Sequence, residues 1–233
     1  MLIKVVIEVL ISIRYSHLFY YLSSFRRKYK YAFLRKKTKY IIEGFPRSGN
    51  TFAFNYFKFI RYPSGYNLGE IGHHSHLPYQ IILGIKRNLP ILLLIREPVD
   101  SISSLLLKRN ISIKQLPFYG QYFLRMYVRY YSSLLSFKSN IFVVPFTDLI
   151  SKPEFVLYEF SKFYSLDIEV DKKRDLSDNV LQHIFNVNRS KVASVLHLAV
   201  PSDEKIKRKL FISEILNNLA EISEAKEIYN EFL

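Results

Sequence analysis

The chain has 233 residues, about half of them apolar, a formal charge of +14 and no cysteine. That length suits one sizeable core rather than two full domains, and the missing thiols exclude a disulfide scaffold, a thiol nucleophile and thiolate zinc sites. The basic excess attracts polyanions, whether nucleic acid, anionic lipid, nucleotide or acidic glycan.

Residues 1–13 are largely apolar, interrupted by Lys4 and Glu8 and closed by Arg14. The run falls short of the roughly 20 residues a membrane span needs. Aromatic residues follow it where a secretory signal would place small ones. It reads as a helix that lies on a membrane or packs on the domain. From Arg14 to Lys39 come nine basic residues and no acid, expected as a lead-in helix or helix pair, so that residues 1–39 form a basic, partly apolar preface to one α/β domain over 40–233. A cytoplasmic location is expected, with peripheral membrane contact through residues 1–39 as the alternative to packing.

Tyr40–Glu43 reads as a short strand broken by Gly44 and Pro46, and Thr51–Arg61 as a helix. A loop with Pro63, Gly65 and Gly69 leads to the segment Gly72–Pro78, and Tyr79–Lys86 reads as helical. Pro90–Ile95 is a continuous apolar run, as in a strand buried on both faces of a parallel sheet. Pro98 opens a helix that continues over Val99–Lys108. Variable loops are expected near Tyr62–His74 and Lys108–Tyr130. Ile141–Val144 repeats the buried-strand pattern, Lys152–Tyr164 reads as a helix, and the chain is helical from Asp203 onward. Alternating strands and helices predict an α/β fold of three layers, a P-loop-type domain with a central parallel sheet flanked by helices. Ligands in such folds gather at the carboxyl ends of the strands.

Three motifs fall there or in the loop between the first two strands. The first, Gly44-Phe-Pro-Arg-Ser-Gly-Asn-Thr51, has the spacing of a nucleotide P-loop after a strand and before a helix. Backbone amides in that geometry converge on an anion, helped by the helix dipole. Asn50 stands where the loop lysine would reach the β- and γ-phosphates, while Arg47 supplies a charge from within. That disfavours an ordinary ATPase or GTPase. A Gly/Pro turn capping a helix with Ser48 or Asn50 is the plainer alternative.

At this point the chain resembles the PAPS-dependent sulfotransferases, whose loop runs proline, basic residue, serine, glycine, a threonine-rich pair and an aromatic. Here it stands as Pro46-Arg47-Ser48-Gly49-Asn50-Thr51-Phe52. The resemblance implies that Arg47, Ser48, Gly49, Asn50 and Thr51 hold the 5′-phosphosulfate and that Phe52 stacks near the adenine. The second motif, Arg96-Glu-Pro-Val-Asp-Ser-Ile-Ser-Ser104, fits the family's 3′-phosphate signature at Arg96, Pro98, Asp100 and Ser104. A guanidinium at a strand end and a hydroxyl two turns into the next helix can meet at one phosphate.

The third motif, Ser75-His76-Leu77-Pro78, resembles the segment in which the family places its general base. Neutral imidazole suits that task. His73 and His74 beside it raise a zinc alternative, although no well-spaced carboxylate accompanies them. The run Val143–Leu149 resembles a further strand-end segment, with Phe146 in place of its tyrosine.

Many members carry lysine where Arg47 stands, and the family's C-terminal Arg-Lys-Gly contact has its nearest counterpart in Arg189-Ser190-Lys191. The resemblance covers about Tyr40 to Leu166. It implies transfer of a sulfuryl group from PAPS to a hydroxyl or amine without a metal, with His76 as base and Arg47 at the leaving oxygen. A carbohydrate, lipid headgroup or small molecule is the acceptor class implied, with no nucleic acid partner. The rival readings are a P-loop kinase acting on a small molecule and a non-enzymatic basic module binding membrane or nucleic acid.

Overall fold

The computed structural model describes residues 2–26, 31–62, 65, 69–168, 178, 180–182, 186 and 203–233. Four strands, β1 (Tyr40–Gly44), β2 (Ile71–His73), β3 (Ile91–Ile95) and β4 (Phe142–Pro145), form one parallel sheet in the order β2-β1-β3-β4. The register sets Ile41 against Ile91, Leu92 against Phe142 and Tyr40 against Ile71.

Side chains alternate across a strand, and this divides the apolar runs between two cores. Ile41, Ile91, Leu93 and Ile95 face one side, against α4 (Pro78–Lys86), α5 (Pro98–Lys108), α6 (Leu116–Ser132) and the C-terminal helices Asp203–Asn217 and Ile222–Phe232. Ile42, Leu92 and Leu94 face the other, against α3 (Asn50–Arg61) and α8 (Pro153–Phe163), while the short α7 (Phe146–Ser151) sends Leu149 into the same core. With helices on both faces, a strand such as Ile-Leu-Leu-Leu-Ile has no solvent side and needs none. The fold is therefore the α/β three-layer arrangement expected, and every predicted strand is present.

Two expectations need correcting. The region Lys108–Tyr130 is mostly helix: α6 buries Phe123, Leu124, Tyr127, Tyr130 and Tyr131, so most of it is core and not variable loop. Burial at i, i+3/4 and i+7/8 on α6 is the periodicity that could have shown it. Further back, helix does not extend to Lys39. α1 (Leu2–Arg14) and α2 (His17–Ser24) are followed at 31–39 by turns closed by Thr38, whose Oγ1 accepts from the Arg35 amide at 2.9 Å and donates to the Gly69 carbonyl at 2.9 Å. β2 was not foreseen, since three residues are too few to show a period.

α1 packs on the body of the protein. Ile7 and Ile11 are buried in the core cluster, and Glu8 pairs with Arg125 of α6 at 2.6 Å. Among the described residues no single helix is long and apolar enough to cross a membrane; α1 and α2 together have the length and composition but are bent by 54° at their junction.

Candidate active site

The loop between β1 and α3 is shaped by three internal bonds. The Ser48 amide donates to the Phe45 carbonyl at 3.2 Å, Asn50 Nδ2 to the same carbonyl at 3.0 Å, and the Ala53 amide to the Gly49 carbonyl at 3.0 Å. Arg47 and Gly49 both take positive φ, 73° and 93°. At Gly49 a Cβ would lie 2.8 Å from Leu149 and 3.1 Å from Phe146, so glycine is required twice over, by conformation and by space.

The second motif latches onto this loop. Ser101 Oγ donates to the Pro46 carbonyl at 2.8 Å, Arg96 Nη1 to the Arg47 carbonyl at 3.1 Å, and Arg47 Nε to Ser104 Oγ at 3.0 Å. Arg96 lies 3.9 Å over the Phe146 ring, a cation–π contact, and 3.7 Å from Asp100, which also holds Lys209 at 2.6 Å. Tyrosines of α6 brace the strand ends from below: Tyr127 donates to the Arg96 carbonyl at 2.7 Å, and Tyr131 joins the Phe45 amide to the Leu94 carbonyl.

Around the loop opens a cleft of about 1290 Å³, above the roughly 300–1,000 Å³ usual for one small ligand. Arg14, Arg26, Arg47, Arg96, Lys108 and Arg109 line it, against a single carboxylate, Asp178, among the described residues. Burial lowers the pKa of Arg47, with the charge of Arg96 adding to it; burial likewise lowers Arg96 and Lys108, the latter helped by Arg47 and Arg109. Buried cations that repel one another call for an anion. The Nε atoms of Arg14 and Arg96 are buried with no hydrogen-bond partner among the described residues.

Of the residues singled out from the sequence, Arg47, Gly49, Asn50, Thr51, Phe52, His76 and Arg96 line this one cleft. Ser48 and Ser104 do not. Ser48 is fully buried beneath the loop, and Ser104 stands behind Arg47 as its partner. The Asn50 side chain turns inward to Phe45, leaving its backbone for the cleft, and Phe52 is largely buried against Tyr56. Arg189-Ser190-Lys191 lies outside the described residues.

His76 sits opposite, at φ 52°, with Nδ1 2.8 Å from the Gly44 carbonyl. A carbonyl only accepts, so Nδ1 carries the proton and Nε2 keeps its lone pair. Burial, with the charges of Arg14 and Lys108, lowers its pKa to about 4 against the opposing Gly44 bond, so the ring is neutral near pH 7.

Sequence reasoning missed Glu43. It is wholly buried at the end of β1 and accepts from the Ser75 amide at 2.7 Å, the His76 amide at 3.3 Å and Gln80 Nε2 at 2.9 Å, its carboxylate 4.0 Å from His76 Nδ1. Burial pushes its pKa up to about 7 against those donors. A glutamate inside an apolar strand was the signal for it.

His74 was also underrated. Its Nε2 lies 3.1 Å from Thr51 Oγ1 and its Nδ1 2.6 Å from that of His73, whose ring stacks on Phe54. Among the described residues no three His, Asp or Glu side chains are grouped to hold a metal ion.

No protein-family model matches the chain, and no curated protein sequence matches it. Among solved structures it is similar to the crystal structure of mouse sulfotransferase SULT7A1 complexed with PAP, with 11% identity, a TM-score of 0.47, and 85% of this chain and 92% of that chain covered.

Proposed function

We propose that the chain is a sulfotransferase that uses PAPS as donor. The observation that carries the reading is the convergence, in one cleft, of a P-loop carrying Arg47, the second guanidinium of Arg96, and a neutral histidine whose free nitrogen is Nε2. A bisphosphorylated nucleotide offers anions to both arginines, and an acceptor hydroxyl needs a base.

In this reading the amides of Gly49, Asn50 and Thr51, with the Thr51 hydroxyl, hold the 5′-phosphosulfate, and Arg96 holds the 3′-phosphate. Phe52 takes the adenine side. His76 Nε2 accepts the acceptor's proton as the acceptor oxygen bonds to sulfur. The sulfur–oxygen bond to the 5′-phosphate breaks in line, and adenosine 3′,5′-bisphosphate departs. Arg47 stabilises the charge that grows on the leaving oxygen; an arginine does this by its fixed charge and not by giving up a proton. Ser104 orients Arg47, and Glu43 fixes the loop that carries His76. A phosphoryl-transfer reading is weaker, because Asn50 points inward where a kinase's lysine would reach a γ-phosphate.

Calorimetry with adenosine 3′,5′-bisphosphate, with AMP as the comparison, tests the reading. Binding of the bisphosphate in preference to AMP is expected; no binding of either sinks it.

A further inference from the structure

α1 and α2 each carry two faces. Ile7, Ile11 and Tyr20 are buried against the protein, while Val5, Val6, Val9, Leu10 and Ile13 of α1 lie 45–56% exposed. On α2, Leu18 and Leu22 are 67% and 60% exposed, and Phe25 just beyond it reaches 80%. Leu18, Leu22 and Phe25 follow the i, i+4, i+7 spacing of one helix stripe. One residue round, Phe19, Ser23 and Arg26 repeat that spacing and line the cleft. The outer apolar stripe and the cleft wall are thus neighbouring faces of the same short helix.

Charge accompanies the stripe. Lys4 is exposed beside Val5 on α1, and Arg26, exposed next to Phe25, opens the sequence run Arg26-Arg27-Lys28-Tyr29-Lys30. The one acid in the first 39 residues, Glu8, is paired with Arg125. An apolar face with exposed Lys4 and Arg26 beside it, in a stretch whose sequence is strongly basic, matches the acyl–headgroup boundary of an anionic bilayer. The bend of 54° and the burial of Ile7, Ile11 and Tyr20 suit a pair lying in the interface, with one face on protein and one in lipid.

We propose that α1 and α2 form a docking surface for anionic membranes that sets the cleft mouth at the lipid interface, so that the acceptor is an amphiphile with a hydroxyl headgroup. The cleft has an apolar wall for such a molecule: Phe19, Phe33 and Leu77 line it, and Leu77 adjoins His76. The acceptor class rests on the sulfotransferase reading; the docking surface stands without it.

Co-sedimentation of the whole chain with phosphatidylcholine vesicles, with and without phosphatidylglycerol, tests the surface. Binding is expected only with phosphatidylglycerol present, weakened by salt and about tenfold or more weaker in Leu18→Asp/Leu22→Asp. A circular dichroism melt that matches the wild type's shows that the variant is folded, and its bisphosphate affinity is expected to stay within about twofold. If the double variant does not fold, Phe25→Asp, at the most exposed position, replaces it. A wild-type chain left in the supernatant, or a folded variant that sediments undiminished, overturns the surface. So does a dimer in light scattering that the variant dissociates while vesicles are ignored.

Radiolabelled PAPS offered with the source cell's lipid extract in anionic vesicles tests the acceptor. Label is expected in the chloroform-soluble fraction. An unlabelled fraction from a chain that binds the bisphosphate overturns the acceptor class alone, whereas failure to bind the bisphosphate overturns the sulfotransferase reading alone.

Discussion

Arg47 Nε donates to Ser104 Oγ at 3.0 Å, across 57 residues of sequence. This bond joins the loop between β1 and α3 to α5 and holds the Arg47 guanidinium in one direction. In the proposed reading Ser104 acts through Arg47. Ser104→Ala is expected to weaken bisphosphate binding about three- to tenfold, the scale of one charge-assisted hydrogen bond. In an Arg47→Ala background the same change should cost almost nothing. Calorimetry on the four proteins of this cycle measures it; additive losses would mean that Ser104 touches the ligand independently.

His76→Asn separates base from scaffold. Asparagine tolerates the positive φ of 52°, and its amide can replace the Nδ1 bond to the Gly44 carbonyl. What it lacks is the basic nitrogen. A fall in kcat of about 10²–10⁴-fold is expected, with bisphosphate affinity within about twofold of wild type. Retained turnover would remove His76 from the proton transfer.

Glu43 and its neighbouring histidines make stability depend on pH in opposite directions. Burial lowers His73 and His76 from 6.5 to about 4, so between those values the unfolded chain binds more protons and stability rises with pH. Burial raises Glu43 from 4.5 to about 7, so there the native chain binds more protons and stability falls with rising pH. Burial, with the charges of His73, His76 and Lys108, lowers His74 as well, so with three histidines against one glutamate, urea midpoints should fall as the pH drops from 6.5 toward 4. Glu43→Gln removes the opposing contribution. Its stability relative to wild type should climb between pH 4.5 and 7, and a flat difference would show that Glu43 does not titrate in that window.

Gly49→Ala is expected to destabilise by about 1–3 kcal/mol, because it adds strain at φ 93° to overpacking against Leu149 and Phe146. Since Phe146 carries the guanidinium of Arg96 on its face, bisphosphate affinity should fall with the melting temperature. Thermal melts with and without the bisphosphate read both.

Much of this architecture was legible in the chain. β1, β3 and β4 announce themselves as short apolar runs, and Gly44, Pro46 and Pro98 mark where each gives way to loop or helix. α6 was expected as loop, whereas packing turns the rings of Tyr127, Tyr130 and Tyr131 inward and gives the hydroxyls of Tyr127 and Tyr131 carbonyl partners. Glu43 was hidden for a related reason. A carboxylate in a strand looks like an edge residue until the loop at Ser75 and His76 is folded over it.

The sequence by itself determined three of the four strands, the loop between β1 and α3, and the presence of Arg47 and Arg96 beside strand ends with His76 in the loop between them. These are local matters, set by periodicity, by glycine and proline, and by residue type. Only the tertiary structure decided that Ser104 serves Arg47, that Arg96 rests on Phe146, that the Gly44 carbonyl selects the His76 tautomer, and that α2 walls the cleft. Each depends on where elements far apart in sequence come to rest against each other. That is fixed by how two apolar faces of one sheet are covered, and no short stretch of sequence carries it.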